Sequence, residues 1–285
     1  MLVVKDVKKS FGRKEILHSV GFRLEKGIYG LLGANGAGKT TLIRCMCGIY
    51  CYQGEICYSD EKTSSTKNFS KMLGYLPQTF GMLRELKLWD MMEYFCVLKK
   101  VPKGEMNGSI IRALGLVNLL DQKDKRVAAL SGGMTRRAGI AQALLGNPKV
   151  IILDEPTAGL DPEERARFKS LVMEIRNHID TILLSTHIVE DIEACCNQAV
   201  VMDKGDILFD GKCAQLKQLS ANKVYVLGEE AYARLREKPF VLKTFETMDG
   251  IRYRVLSTIE PEGGTLTDPT LEDGYMCAIK RIGQP

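Results

Sequence analysis

No stretch of this 285-residue chain approaches the ~20 consecutive apolar residues that a membrane-spanning helix needs. Runs such as VIIL at 150–153 are only strand-sized, so if the protein works at a membrane another chain must do the spanning. The opening residues MLVVKDVKKSFGR lack the apolar segment of a secretion signal, and a cytoplasmic chain is expected. Charge of one sign is not gathered anywhere: 40 Lys and Arg are scattered among 35 Asp and Glu for a net +5, and no nucleic-acid partner is expected. The nine cysteines contain no C-x-x-C pair, which excludes the common zinc spacings, and without an export signal they are expected to stay reduced. Cys45 and Cys47 are expected to be buried thiols on a helix. Internal repeats, low-complexity tracts and sustained heptads are missing as well, which removes solenoids, tails and long coiled coils.

What remains is an ordinary globular composition, 45% hydrophobic and 26% charged, long enough for one large domain with an appendage. Residues 1–28 read as strands broken by turns and suggest a small antiparallel edge. IYGLLG then runs as a buried strand into the glycine-rich GANGAGKTT, after which Leu42, Cys45, Met46 and Ile49 fall on one helical face. Met91, Tyr94, Phe95 and Leu98 make a second helical stripe, and Met106, Ile110, Ala113, Leu114 and Val117 a third. KVIILDEP and TILLSTH are nearly all-apolar strands of the kind a parallel sheet covers on both faces, with an amphipathic crossover helix between them. QAVVMDKGDILFDGK reads as a hairpin. Beyond residue 220 come three strand-like segments and a closing helix, PTLEDGYMCAIKR. The expected fold is α/β and doubly wound. Its boundaries are set at residues 1–220, with a helical insert at about 79–135, and at 221–285 for an accessory module without a chemical motif.

The chemistry gathers at two glycine turns. Gly33-x-x-x-x-Gly38-Lys39-Thr40 satisfies the P-loop pattern, in which backbone N–H groups wrap α- and β-phosphates and the lysine reaches the β/γ-phosphates. The cradle comprises Gly33, Ala34, Asn35, Gly36, Ala37, Gly38, Lys39, Thr40 and Thr41, with Thr40 placed to ligate Mg²⁺. Asp154, ending a buried strand, supplies the complementary acid that holds Mg²⁺ through water, and its neighbour Glu155 can act as a base on the attacking water. The second turn, Leu130-Ser-Gly-Gly-Met134, also opens a helix-like run and has no lysine.

With GANGAGKTT, LSGGM, LDEPTAGLDP and STH in this order, the chain resembles the ATP-binding subunits of ABC transporters over roughly residues 1–215. The resemblance implies a P-loop NTPase (RecA-like) parallel-sheet core with an N-terminal antiparallel β-subdomain and an inserted helical subdomain. It implies ATP hydrolysis, with Glu155 as catalytic base and His187 as the switch histidine at the γ-phosphate. Phe11 corresponds to the aromatic that stacks on adenine, Gln78 to the Q-loop residue touching Mg²⁺ and the membrane partner, and Gly159, Leu160 and Asp161 to the D-loop. Ser131, Gly132 and Gly133 correspond to the signature turn that serves the ATP held by a second nucleotide-binding subunit, so neither subunit alone has a complete site. Met134 stands where the family usually has glutamine. His18 and His178 match no family position and read as surface or turn residues.

Within the family, LSGGMTRRAGIAQALLGNPKVIILDEPTAGLDPEER, STHIVEDIE and the tail PTLEDGYM most resemble ABC-2 type exporters of the bacitracin and antimicrobial-peptide group. The implied partners are a second nucleotide-binding subunit and a separately encoded integral-membrane permease on the inner face of the cell membrane, docking around Gln78 to Arg84 and the helical insert. A soluble ABC-type ATPase acting on the ribosome or DNA is the alternative; such proteins usually carry tandem nucleotide domains or long coiled-coil insertions. A regulatory chain without turnover is opposed by the intact Lys39, Asp154, Glu155 and His187.

Overall fold

The computed structural model describes residues 1–60, 63–64 and 72–283. Two long strands open the chain, β1 (Leu2–Phe11) and β2 (Lys14–Leu24), followed by β3 (Gly27–Leu32) and helix α1 (Lys39–Met46). Next come β4 (Gln53–Asp60), β5 (Thr63–Ser64), β6 (Leu73–Leu76), and helices α2 (Leu88–Leu98), α3 (Met106–Leu116) and α4 (Gly132–Leu144). The chain then alternates through β7 (Val150–Asp154), α5 (Pro162–Ile175), β8 (Thr181–Thr186), α6 (Val189–Cys195) and β9 (Gln198–Asp203). It closes with β10 (Asp206–Lys212), α7 (Cys213–Gln218), β11 (Val224–Gly228), α8 (Glu229–Arg234), β12 (Phe240–Thr247), β13 (Gly250–Leu256), β14 (Thr265–Leu266) and α9 (Leu271–Lys280).

The central sheet has the order β10-β9-β3-β8-β7-β6, parallel except for the β9/β10 hairpin. Alternation along β7 explains why its sequence is apolar throughout: Ile151 and Leu153 face the helices, while Val150 and Ile152 face α1 and the N-terminal sheet. That second sheet, β2-β1-β4-β5, is antiparallel and lays Leu2, Val4, Leu17 and Phe22 over α1. The result is a parallel-sheet core of the P-loop NTPase type, as the sequence pattern implies. The edge is a full sheet built on strands of 10 and 11 residues, larger than the short strands the turns suggest.

Two helical stripes need correction. Helix α1 buries Leu42, Cys45 and Met46 but ends at Met46, so Ile49 lies past it and is 56% exposed. Helix α2 buries Leu88, Met91, Met92 and Cys96, with Phe95 partly covered, whereas Tyr94 and Leu98 face outward. The buried arc is turned by about one residue from the stripe read in sequence, because Trp89, Met91, Met92, Tyr94 and Phe95 spread apolar side chains over an arc that periodicity alone does not orient. Cys45 is buried, and Cys47 is partly covered at the C-cap of α1.

The third sheet, β12-β13-β11-β14, is sandwiched between α8 and α9. Val224, Leu256 and Cys277 pack on one face and Tyr225, Leu227 and Val255 on the other. Arg254 holds Asp273 of α9 through Nε at 3.1 Å and a second guanidinium nitrogen at 2.5 Å, a two-point pair with Asp273 buried. The same helix also packs on α7, where a Cβ on Gly274 would stand 2.1 Å from the Leu216 carbonyl oxygen, and its Leu271 and Ala278 join the main core. Residues 221–283 are thereby fastened to the main core through their own last helix.

Candidate functional site

Strand β3 leads straight into the glycine turn, and the Gly33 N–H donates to the Thr186 carbonyl of β8 at 3.3 Å. Gly38 has φ +108°, and a Cβ there would meet Met202 Cε at 2.8 Å, so a side chain is excluded by both backbone and space. Lys39, the first residue of α1, is 5% exposed. Its Nζ donates to the carbonyls of Gly33 (2.6 Å) and Ala34 (3.2 Å) and pairs with Glu155 Oε1 at 3.2 Å. A groove of about 500 Å³ lies over the turn, lined by Ala34, Asn35, Gly36, Gly38, Lys39, Thr40, Thr41, Gln78 and Glu155, with Lys14 and Ile16 of β2. Open N–H groups at the start of α1 and the lysine make it a seat for a polyphosphate.

At the end of β7, Asp154 is fully buried. Its Oδ1 accepts from Ser185 Oγ at 2.6 Å and from Thr40 Oγ1 at 3.4 Å, while Oδ2 has no partner. Burial pushes this carboxyl up from its ordinary range, and the hydroxyls of Ser185 and Thr40 act against the shift. A buried, unpartnered carboxylate oxygen beside a threonine hydroxyl is a hard-oxygen donor set that fits Mg²⁺. Gln78, exposed on the same groove, can complete it.

Glu155 follows with φ +46°, a left-handed conformation for a residue with a side chain. Its N–H donates to the Ser185 carbonyl (3.1 Å) and Ser185 Oγ (3.0 Å). Its carboxylate bridges Lys39 and His187, with His187 Nδ1 2.9 Å from Oε2. Lys39, Asp154, Glu155 and His187, drawn from α1, β7 and the end of β8, thus meet at one end of the sheet, where the parallel strands point their carboxyl ends.

The other sequence-predicted residues lie elsewhere. Ser131 is the N-cap of α4, its Oγ accepting the Met134 N–H at 3.2 Å, and Gly132 and Gly133 form the first turn of that helix. Asp161 caps α5 by accepting the Glu164 N–H at 2.8 Å, and the Glu164 carboxylate lies against Gly133, where a Cβ would be 2.2 Å from Oε2. None of these residues lines the P-loop groove. Phe11 is 47% exposed; its ring meets Tyr50 edge-on at 5.2 Å and has Lys9 Nζ 4.8 Å from its centroid. His18 sits at the surface 3.3 Å from Asp206, and His178 is exposed.

Sequence reading missed Ser185, Lys14, Ile16 and Arg136. Ser185 stands two residues before His187 in the motif-bearing strand, a signal that was available. Arg136 stands five residues after Ser131 in α4, and its guanidinium hydrogen-bonds backbone beyond β7, a contact no local pattern announces.

A P-loop at the end of a parallel strand, with a buried acid and an adjacent glutamate beside its lysine, defines a nucleoside-triphosphate hydrolase. The ABC transporter family profile matches residues 17–158. An uncharacterized ABC transporter ATP-binding protein of Bacillus subtilis (strain 168), YxlF, is 35% identical over 245 residues, covering 85% of this chain and 81% of the relative. The methionine import ATP-binding protein MetN of Clostridioides difficile is 32% identical, covering 76% and 70%. The linearmycin resistance ATP-binding protein LnrL of Bacillus subtilis is 29% identical, covering 74% and 69%. Among solved structures, cbiO1 of Clostridium perfringens, described as part of the ABC transporter complex cbiONQ, superposes with a TM-score of 0.66 at 28% identity, covering 74% of this chain and 88% of that one. The chain belongs to the ABC transporter ATP-binding proteins: it binds and hydrolyses ATP as the ATP-binding subunit of a transporter. No helix among the described residues is long and apolar enough to cross a membrane.

Proposed function

We propose that this subunit drives a separately encoded permease on the inner face of the cell membrane to export a drug, peptide or lipid-like substrate, as a pair of nucleotide-binding subunits with two ATPs between them. The observation that carries the mechanism is the Glu155 carboxylate held between Lys39 and His187 beside the unpartnered Oδ2 of Asp154. Lys39 turns from Glu155 to the β- and γ-phosphates as they enter, which frees one carboxylate oxygen. Thr40, Asp154 and Gln78 would hold Mg²⁺, which when bound would supply positive charge to the polyphosphate. Glu155 takes a proton from the water that attacks the γ-phosphorus, and the bond to the β–γ bridging oxygen breaks, leaving ADP and phosphate. His187 donates to a γ-phosphate oxygen. Ser131, Gly132 and Gly133 serve the nucleotide of the second subunit, and Phe11 and Asp161 flank the adenine and the subunit junction.

Export rests on the segment from LSGGM to DPEER, on STHIVEDIE and on the PTLEDGYM tail, and is supported by the linearmycin-resistance relative. The test is ATP-dependent uptake of a linear antimicrobial compound into inside-out vesicles carrying the native permease. Uptake is expected with the parent chain and not with Glu155→Gln, whose turnover falls by ~10²–10⁴ while ATP binding persists. ATP-driven release instead of uptake would reverse the direction, and unchanged turnover would remove Glu155 as the base.

A further inference from the structure

The guanidinium of Arg136 lies at a junction that the roles above leave unexplained. Its Nε donates to the Pro156 carbonyl at 2.8 Å, one terminal nitrogen to the Glu155 carbonyl at 2.5 Å, and the other to the Gln78 carbonyl at 3.1 Å. The nitrogen on Glu155 also reaches the Asp154 carbonyl at 3.5 Å. All four acceptors are backbone carbonyls, so one side chain of α4 binds the end of β7 and the two residues after it to Gln78, two residues beyond β6. Burial lowers the guanidinium below its ordinary range, and the neighbouring Asp154 and Glu155 charges oppose that shift.

The Glu155 backbone shows what this junction does. Its φ of +46° is a conformation that a residue with a Cβ leaves unless its surroundings hold it there. Strand β8 holds the N–H side through Ser185, and the carbonyl side is held by Arg136 together with the Ala158 N–H at 3.2 Å. With both peptide groups fixed, the Cα–Cβ bond points the carboxylate at Lys39 and His187. Without Arg136 the carbonyl keeps only the 3.2 Å bond from the Ala158 N–H, which travels with the same turn, so φ can relax and the carboxylate shifts with it.

We propose that Arg136 is a positioning residue for Glu155: by clamping the Glu155 carbonyl it keeps the base aimed at the site of water attack. This rests on the reading of Glu155 as base. Because Arg136 and Ser131 share one helix, a shift of the signature turn on meeting the other subunit's nucleotide also moves the clamp. The base of one site is then set by the helix that serves the other.

The test compares Arg136→Gln and Arg136→Lys in the full chain, reading kcat and KM of ATP hydrolysis, equilibrium ATP binding and the melting temperature. Arg136→Gln is expected to lower kcat about 10²-fold with ATP affinity within about twofold, since small misplacements of a reacting group cost that much. Arg136→Lys restores the charge but not the planar fork and is expected to fall between. If Arg136→Gln does not fold, the lysine variant carries the comparison: reduced kcat at parent affinity supports the clamp, and parent kcat overturns it. Arg136→Gln is then placed in a Glu155→Gln background, where it should change kcat by no more than about twofold, because the group it positions is already gone. A full second loss there, parent kcat in Arg136→Gln, or an affinity loss equal to the rate loss overturns the proposal. Parent-like turnover by Glu155→Gln alone takes down the base reading first, which separates the two failures.

Discussion

The two glycine turns begin helices of similar kind, and the structure treats them in opposite ways. At Gly33–Thr41 every charged group finds a partner within the chain: Lys39 sits on two carbonyls and Glu155, and Glu155 in turn on His187. At Ser131–Gly133 the serine side chain accepts its own helix cap and, among the described residues, no other polar bond, and the turn is exposed with the Glu164 carboxylate at its side. A buried cation must be balanced locally, so the P-loop is organised before nucleotide arrives. An exposed cap needs nothing of the kind, which is the state expected of a half-site that another subunit completes. Being preformed and being complete are different properties, and on the proposed pairing this chain has the first at one turn and the second at neither.

Removing Lys39 should break the preformed turn outright. Lys39→Ala takes away the buried cation at the glycine turn and leaves Glu155 without its lysine partner. ATP binding is expected to weaken about 10²-fold or more, in line with the loss of one member of a buried charge pair. Isothermal titration with Mg·ATP measures it, and parent-like affinity would mean that the groove over α1 is not the nucleotide seat.

The matching change at the other turn should leave that affinity alone. Ser131→Arg fills the space in front of the α4 N-terminus while the P-loop is untouched. In a Glu155→Gln background, where bound ATP persists, the parent chain is expected to dimerise with ATP by size-exclusion chromatography. The chain that also carries Ser131→Arg should bind ATP within about twofold and stay monomeric. Dimerisation of that chain would mean that the signature turn holds no partner phosphate, and the contrast between the two turns would collapse.

How much of this was legible depends on whether the information is local. The P-loop, the Asp154–Glu155 pair, the hairpin and the all-apolar strands are short-range patterns, because a phosphate cradle and a covered strand each constrain neighbouring residues. Arg136 escaped because its partners at Gln78 and residues 154–156 are far away in sequence and are all carbonyls, which no residue type encodes. The α2 stripe was misjudged for a related reason: an apolar arc containing Trp89, Met91, Met92, Tyr94 and Phe95 is wide enough to be turned either way, and packing on α3 and α4 decides it. The appendage's attachment was equally hidden, since Gly274 looks like a helix weakness until the Leu216 carbonyl is found against it.

The smallest expected effect lies at the far end of the signature helix. The last carbonyls of any α-helix lack intrahelical donors, and here Lys99 Nζ, reaching from the end of α2, donates to those of Gln142 (2.6 Å), Ala143 (3.1 Å) and Leu145 (3.1 Å). Burial pushes this ammonium down from 10.5 to about 8. Lys99→Met keeps the apolar stem and removes the donors, so it should destabilise the fold by about 1–2 kcal/mol at neutral pH without changing ATP affinity. The sign of its pH dependence follows from proton counting. Between about pH 8 and 10.5 the unfolded lysine still carries a proton that the folded one has lost, so the Lys99 contribution to unfolding free energy rises with pH across that window. Below pH 8 both states are protonated and the contribution is flat. The buried thiols act oppositely: Cys45 and Cys47, raised to about 11 and about 12, favour the unfolded thiolate increasingly above pH 9. They are common to both chains, however, and cancel in the difference. Urea melts of the parent and Lys99→Met at pH 7, 8, 9 and 10 should therefore show a stability gap that is constant to pH 8 and widens above it. A gap that stays constant throughout would mean that Lys99 remains charged in the fold, its three carbonyls outweighing its burial, and would make the end of the signature helix as firmly held as the P-loop lysine.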